Sequence, residues 1–420
     1  MEKLLLPGSK GWIKKYFDLV EKTQIQLNYV QPEGLDKGAF LHAALGRTGI
    51  AFGFPSRLLF AEKVNDKKWT SDEKLKVLLF EAHLFVYLSY HEGKDFDQNA
   101  FVDSLVTFYG NHNSSKISKL FGFFMKESPN EKLESILTQR VDIKMNLLEN
   151  KFWVNYLSNV FIYLDVILYN DFVQHKKRSA FYNYDDLAMN ALTAITLSAY
   201  SDGAIEEKER TMFSVFLASA NLPDVQREIA EKRFNAGGIF DDFTSHVKEN
   251  KLFQRFLLDL SSFVIYSNHE AHDEERNHLV KLTEYLGLTS SQLEESLALT
   301  EQFIISNFEK IPFLQDNSSV EKVYGSLSKR WVKILGRNKD KLAAELKQSK
   351  ELVALIRKST TTDLTPEEKE TVKEQFKDLV KSMPSLAIFL LPGGALLLPL
   401  VLKVIPDLMP SAFRDNEVEK

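Results

Sequence analysis

An uncharged run near the C-terminus constrains this chain more than any other stretch. The 21 residues between Lys381 and Lys403 carry no ionisable side chain. At the rise of an α-helix such a run extends roughly 30 Å, about the thickness of the hydrocarbon core of a bilayer. A capping box from Thr365 to Glu368 predicts the start of a helix just before it. The sequence therefore predicts that the run contacts membrane lipid.

Proline and glycine interrupt the run, so a straight and continuous helix is not expected. We predict two short apolar helices with a break between them, arranged as a kinked span or as a hairpin whose ends lie on one side of the membrane. Lipid tolerates such a break only where neighbouring groups satisfy the freed carbonyls. The alternative is a buried hairpin in the core of a soluble domain. The residues that define this predicted membrane segment are Pro384, Pro392, Gly393, Gly394, Pro399, Lys403, Pro406 and Pro410.

The prolines and leucines of this segment follow a spacing that can be compared with known families. The pattern consists of Met383-Pro384, Pro392, Leu397-Leu398-Pro399, Lys403 and the ending from Ile405 to Phe413. It resembles the membrane segment of the Letm family, whose members are leucine-zipper, EF-hand-containing transmembrane proteins. The resemblance implies an inner-membrane protein that is associated with cation/proton exchange and with ribosome binding.

One departure from the Letm pattern bears on transport. Gly393, Gly394 and Ala395 stand where the family carries an acidic residue after the second proline. A carboxylate inside the membrane is the kind of group that moves protons or cations. Its absence favours membrane association over ion transport for this chain.

Composition excludes several classes of site and partner. The chain has no Cys, which excludes disulfides, thiolate metal sites and cysteine nucleophiles and is typical of a reducing compartment. A net charge of -5 gives no global field for gathering nucleic acid, so no DNA partner is expected. The residues from Met1 to Trp12 lack the core of a signal peptide. We expect a location at the cytoplasmic side of a bacterial inner membrane, with the cytoplasm as the alternative.

The first 180 residues show a helical pattern with loops. Thr70 to Glu73 and Ser128 to Glu131 are capping boxes, which predict two helix starts. Phe152 to Phe172 is rich enough in aromatic residues to be mistaken for a membrane span. Its polar residues Asn159 and Asp165 would be costly in lipid, so we predict a central helix of the bundle core.

Motifs of catalysis are missing from the sequence. The segment from Gly46 to Gly53 lacks the Gly-Lys-Ser/Thr ending of a phosphate-binding loop, and we interpret it as a flexible connection without chemistry. The chain also has no Gly-x-Ser-x-Gly elbow, no His-Glu-x-x-His and no Rossmann glycine pattern. No catalytic residues are assigned, and the protein is not expected to be an enzyme.

Residues 181–310 contain an internal repeat. An offset of 66 residues aligns Tyr200 with Tyr266 and Leu222 with Leu288. Each copy predicts a helix, a tight turn and a second helix. Because neither pair can bury its apolar face alone, the two are expected to pack against each other. A further capping box, from Thr289 to Gln292, starts the helix that follows.

The turn of the first copy, from Ala199 to Glu209, reads AYSDGAIEEKE. It is similar to the turn of tellurite-resistance TerB-like domains, in which an apolar helix leads through Ala-Asp-Gly into a Glu-rich helix. The resemblance implies a metal ion at this acidic turn. A TerB-like module followed by a Letm-like segment looks like the Letm-related, biofilm-associated proteins of bacteria.

The residues of the acidic turn support two interpretations. Carboxylates at the start of a helix lie favourably against its dipole, which makes structural capping the preferred one. The alternative is a divalent-cation site at Asp202, Glu206 and Glu209; no other cofactor is predicted. An EF-hand is excluded because Tyr200 would fall on a ligand position. In the second copy, His269, His272 and Asp273 have the chemistry of zinc ligands at short spacing, and His278 is a further candidate ligand. We nevertheless interpret these histidines as lone surface residues and do not predict a zinc site.

Lysine and arginine cluster between the repeat and the uncharged run. Apolar residues such as Trp331 and Leu335 interleave with them, which predicts a basic amphipathic helix or helix pair. Near a membrane this surface attracts anionic headgroups by about 1 kcal/mol per close charge, and it equally suits the phosphates of ribosomal RNA. A solvated helix is the alternative, because acidic residues dilute the charge. The predicted basic surface comprises Lys329, Arg330, Lys333 and Arg337.

Together these features predict an all-α protein in four parts. They are an N-terminal helical region (1–180), a duplicated TerB-like module (181–310), basic linker helices (311–362) and a Letm-like membrane segment with a proline-broken apolar hairpin (363–420). The leading hypothesis is a membrane-associated adaptor that tethers a ribosome or another protein partner at the lipid surface, as a monomer or as a homo-oligomer. The rival hypothesis is a cation/proton antiporter or its subunit.

Overall fold

The computed structural model consists of helices joined by turns and loops in the part of the chain that it describes. The described residues are 5–27, 29, 31, 35–93, 95–110, 128–142, 159–175, 184–203, 205, 207–266, 273–311, 342, 344, 346, 349–382 and 405. They form α-helices and short 3₁₀-helices, and no strand is found among them. The predicted all-α fold is confirmed.

Fourteen α-helices lie in the described residues and are numbered here in chain order. The longest is α3, with 19 residues. The helices are α1 (Trp12–Glu21), α2 (Lys37–Gly46), α3 (Ser71–Ser89), α4 (Gln98–Gly110), α5 (Pro129–Val141), α6 (Ile162–His175), α7 (Tyr184–Ala199), α8 (Glu207–Ser219), α9 (Asp224–Ala236), α10 (Lys251–Tyr266), α11 (Asp273–Tyr285), α12 (Ser290–Asn307), α13 (Lys350–Thr361) and α14 (Pro366–Ser382).

Four helices begin at the predicted capping boxes. In α3 the backbone N–H of Glu73 donates to Thr70 Oγ1 over 3.1 Å, and that of Thr70 donates to Glu73 Oε2 over 2.8 Å. The same exchange starts α5 at Ser128, α12 at Thr289 and α14 at Thr365. Each box supplies acceptors for N–H groups that have no partner inside the helix, which fixes the point where the helix starts.

Two helices form the centre of the packing. Helix α3 packs against α5 and α6, and α10 packs against α7 and α12. Both are surrounded by protein; from Leu252 to Tyr266 every residue of α10 is buried. A continuous core of buried apolar side chains extends from Leu5 to Ile311. The N-terminal helices and the repeat therefore share one core.

The predicted core helix of the N-terminal region is found as α6, most of which is buried. Its Asp165 accepts hydrogen bonds from Arg140 of α5, at 2.7 Å from Nε and 2.6 Å from Nη2, and from the hydroxyl of Tyr109 at 3.0 Å. Asn159 donates to the carbonyl of Arg140 over 2.9 Å. Both carboxylate oxygens of Asp165 and the amide nitrogen of Asn159 therefore have partners inside the protein. The prediction is confirmed for this part of the helix, while residues 143–158 lie outside the described residues.

The internal repeat corresponds to α7 and α8 in the first copy and to α10 and α11 in the second. Helix α7 packs against α10, which confirms the predicted contact between the copies. The structure corrects the interpretation of His278, which is buried in α11 and is not a surface residue. Its Nε2 lies 3.3 Å from Ser198 Oγ of α7. Burial lowers the pKa of His278 to about 4, so the ring is neutral and serves the contact between the copies.

The segment from Gly46 to Gly53 is not the flexible connection that the sequence suggested. It closes α2 and continues into a 3₁₀-helix whose residues are all buried. Gly49 has a φ of 81°, a left-handed conformation that glycine adopts without strain. The ring of Phe52 packs against those of Phe263 and Phe303, with centroids 5.2 and 4.4 Å apart. These contacts fix the segment to the core.

Candidate functional site: the C-terminal helical hairpin

Helices α13 and α14 form a hairpin directly before the uncharged run. Leu352 and Ile356 of α13 and Val372 of α14 are buried, as is Leu364 in the short connection between the helices. Both helices are amphipathic in sequence, so burying one face of each against the other satisfies the apolar pattern. The hairpin therefore has a small apolar centre of its own.

Polar contacts join the two helices along the edge of this centre. Ser349 Oγ donates to Gln375 Oε1, and Gln375 Nε2 donates to Glu351 Oε2, each over 2.5 Å. Lys358 Nζ donates to Glu368 Oε1 over 2.6 Å. The hydrogen bond from Lys358 is the main reason that the pKa of Glu368 is lowered. Because solvent screens such an exposed pair, it orients the helices more than it stabilises them.

Buried apolar side chains are also found beyond the main core. The main core ends at Ile311, and the residues of the hairpin are not part of it. Ile405, two residues beyond Lys403, is itself buried. The described apolar residues beyond Ile311 that are buried are Leu342, Leu346, Leu352, Val353, Ile356, Leu364, Val372 and Ile405.

Most of the predicted site residues lie outside the described part of the chain. This applies to every residue of the predicted membrane segment and to the predicted basic surface at Lys329, Arg330, Lys333 and Arg337. None of the described helices is both long and apolar enough to cross a membrane. The lipid contact and the basic surface therefore stay predictions.

The comparison with known families identifies the C-terminal segment. Residues 364–420 match the family described as LETM1-like, RBD. The match begins at Leu364, the buried residue that leads into α14, and includes the uncharged run. No curated protein and no solved structure matches the chain. The Letm part of the resemblance is confirmed over this LETM1-like segment, whereas the TerB-like module and the biofilm association stay predictions.

The acidic turn of the repeat is only partly described. Asp202 is exposed in the turn that ends at Gly203, whose φ is 86°, and Glu209 is buried in the first turn of α8. Glu206 lies outside the described residues. Among the described residues, no three or more acidic or histidine side chains lie close enough together to hold a metal ion. The divalent-cation site at Asp202, Glu206 and Glu209 stays a prediction.

Several charged side chains are buried in ways that the sequence does not reveal. One is Arg140, the partner of Asp165, and another is Glu81 of α3, which is fully buried. The carboxylate of Asp259 in α10 lies 2.7 Å from His42 Nε2 in α2. Their signal in the sequence was a charged residue inside an otherwise apolar helix. Arg47, which follows α2, gave no such signal because its neighbours in sequence are glycine and threonine.

Proposed function

We propose that the chain is a membrane-associated protein of the Letm type. Its C-terminal segment holds the helical body at the bilayer surface. The observation that carries this proposal is the match of residues 364–420 to the LETM1-like, RBD family, which includes the uncharged run. The hairpin of α13 and α14, whose buried residues do not belong to the main core cluster, would then be the joint between the body and the membrane.

The partner that best fits this proposal is a ribosome. The matched family is that of the LETM1 ribosome-binding domain. The basic stretch from Lys329 to Arg337 precedes it and suits RNA phosphates. Cation/proton exchange is the rival function within the same family, but Gly393 and Gly394 occupy the positions at which a membrane carboxylate is expected.

Flotation with vesicles tests the membrane contact. The full chain should float with vesicles of phosphatidylcholine and phosphatidylglycerol. The double variant Leu390→Asp/Leu398→Asp should bind these vesicles at least about a hundredfold more weakly, because each Asp in a lipid-facing helix costs about 3 kcal/mol. The matched control is Val225→Asp/Ile239→Asp, at two side chains that are already 71% and 61% exposed. A wild type that stays unbound, or a Leu variant that floats like the control, would contradict the proposal.

Co-sedimentation with bacterial ribosomes tests the partner. Binding should weaken steeply as salt increases, and neutralising the predicted basic surface should make the slope of log K against log salt shallower by about 3. The variant replaces Lys329, Arg330, Lys333 and Arg337 with Gln.

The control for this experiment removes four other exposed charges on α8, α9 and α11, by replacing Arg210, Lys232, Arg276 and Lys281 with Gln. It should keep the wild-type slope. Equal losses in both variants would mean that the attraction is unspecific. Proton-coupled cation flux into proteoliposomes without ribosome binding would favour the exchange function instead.

A further inference from the structure

Arg47 is buried just after the C-terminal end of α2, and its guanidinium has no acceptor among the described residues. The residue is only 6% exposed. None of the three guanidinium nitrogens has a hydrogen-bond partner among the described residues. Burial, together with the charge of Arg57, lowers the pKa of Arg47 to about 9, so it is charged at neutral pH. An unpaired charge in a protein interior is costly, which makes a partner from outside the chain the expected solution.

Elsewhere in the described core the chain supplies partners for its buried arginines. Arg140 meets Asp165 through two nitrogens, at 2.6 and 2.7 Å. Arg255 donates to Glu295 over 3.0 Å and lies 3.1 Å from His42 Nδ1. The helix dipole at the end of α2 attracts a cation to the position of Arg47, but it does not supply acceptors in the plane of the guanidinium. The lack of a partner therefore sets Arg47 apart from both.

Arg47 is one of the residues that line a pocket of about 250 Å³ between the segment that follows α2 and the C-terminal part of α12. Arg47, Arg57 and Lys310 contribute three positive charges to its lining, and no carboxylate belongs to the lining residues. Arg57 also pairs with Glu62, which lies outside the lining. Ser56 Oγ is a further buried polar atom without a partner among the described residues. The residues around the pocket thus combine a positive field with buried donors that have no partner among the described residues, which favours an anion.

The backbone of this pocket is held in place by the turn at Gly49. The N–H of Ser56 donates to the carbonyl of Thr48 over 2.9 Å, which returns the chain to the side of Arg47. A Cβ at Gly49 would collide with the carbonyl oxygen of Phe54 and with Ser56 Oγ. Because the donors are fixed before any ligand arrives, binding costs little reorganisation.

We propose that this pocket binds a phosphate group, either as inorganic phosphate or as the head of a small phosphate monoester. The planar fork of an arginine matches two phosphate oxygens, and a second arginine, a lysine and a hydroxyl suit the remaining oxygen atoms of a dianion. Leu299 and Phe303 form an apolar wall that could contact the carbon atoms of an ester. The volume admits a phosphate group with a few further heavy atoms.

Two measurements on the full chain test the proposal. One compares the melting temperature in phosphate with that in chloride at equal ionic strength, and the other is a calorimetric titration with phosphate. The wild type should melt at a higher temperature in phosphate. Arg47→Met should melt above the wild type in chloride, because it removes an unpaired buried charge. It should show no gain in phosphate and bind phosphate about thirtyfold or more weakly, because at least one strong charge-assisted hydrogen bond is lost.

Arg57→Met, at a partly exposed residue, should weaken phosphate binding about tenfold, and the control Arg276→Met on the exposed side of α11 should change nothing.

Tighter binding of glycerol 3-phosphate than of phosphate would support the monoester, and equal binding would assign the free ion. An Arg47-dependent preference for vesicles with phosphatidic acid over phosphatidylcholine alone would identify a lipid headgroup as the source. The proposal is wrong if the wild type gains nothing from phosphate, if Arg47→Met keeps the gain, or if Arg47→Met lowers the melting temperature in chloride.

Discussion

Arg140→Met is expected to lower the free energy of unfolding by about 3 to 5 kcal/mol. Asp165 is 0% exposed. After the substitution, the hydroxyl of Tyr109 is the remaining hydrogen-bond donor to its carboxylate among the described residues. Methionine fills most of the volume of arginine, so the loss reflects an uncompensated buried charge more than a cavity. Urea unfolding followed by far-ultraviolet circular dichroism measures the difference.

Two further variants separate this explanation from a general effect of losing an arginine. Arg233 Nε lies 3.3 Å from Asp242 Oδ1, and the arginine side chain is about one-third exposed. Arg233→Met breaks this pair and should lower the free energy of unfolding by less than about 1 kcal/mol. Replacing both partners, as Arg140→Met/Asp165→Leu, should recover most of the lost stability, because no buried charge is then left unpaired. If the double variant is as unstable as the single one, packing and not charge is responsible.

Local chemistry explains which parts of the fold could be predicted from the sequence. The capping boxes at Thr70 and Thr289 depend on two residues three positions apart, so their pattern is visible in a single chain. The repeat is visible for a similar reason, because an offset of fixed length aligns Tyr200 with Tyr266. The LETM1-like segment could be recognised because its prolines recur at a characteristic spacing within a short stretch.

The buried charges could not be predicted because their partners come from distant parts of the chain. Asp165 lies 25 residues from Arg140, and Asp259 lies 217 residues from His42. The pocket at Arg47 requires α12 to pack beside the segment that follows α2, which only the tertiary structure brings about. The glycine-rich sequence at Gly49 was interpreted as flexible because a left-handed turn and a flexible linker use the same residue.

Glu81→Gln is the second substitution for which a large loss is expected, again about 3 to 5 kcal/mol. Four donors surround the carboxylate. Tyr16 Oη and the N–H of Ala61 donate to Oε1, each over 2.8 Å, while the N–H groups of Leu59 and Phe60 donate to Oε2 over 2.6 and 3.1 Å. In glutamine one of the two carboxylate oxygens becomes an NH₂ group, whichever way the amide is turned. The two donors that bonded that oxygen then lose their acceptor and face the NH₂ group, which is itself a donor.

The measurement belongs above pH 7, because burial raises the pKa of Glu81 to about 7 and the four hydrogen bonds suit its ionised form. Tyr16→Phe, which removes one donor and leaves the carboxylate bonded, should cost about 1 kcal/mol. Glu228→Gln on the exposed face of α9 should cost less than about half a kcal/mol. A loss for Glu81→Gln no larger than that for Tyr16→Phe would show that the backbone N–H groups find other acceptors.

Glu81 also connects the stability of the fold to the proposed phosphate pocket. The backbone that it holds, from Leu59 to Ala61, begins two residues after Arg57, which lines the pocket. Loosening this backbone should let Arg57 leave its position, so Glu81→Gln should weaken phosphate binding about tenfold even at temperatures where the chain stays folded. Arg140→Met, which lies away from the pocket, should leave phosphate binding unchanged under the same conditions. Calorimetric titration of both variants would distinguish a local effect on the pocket from a general loss of stability.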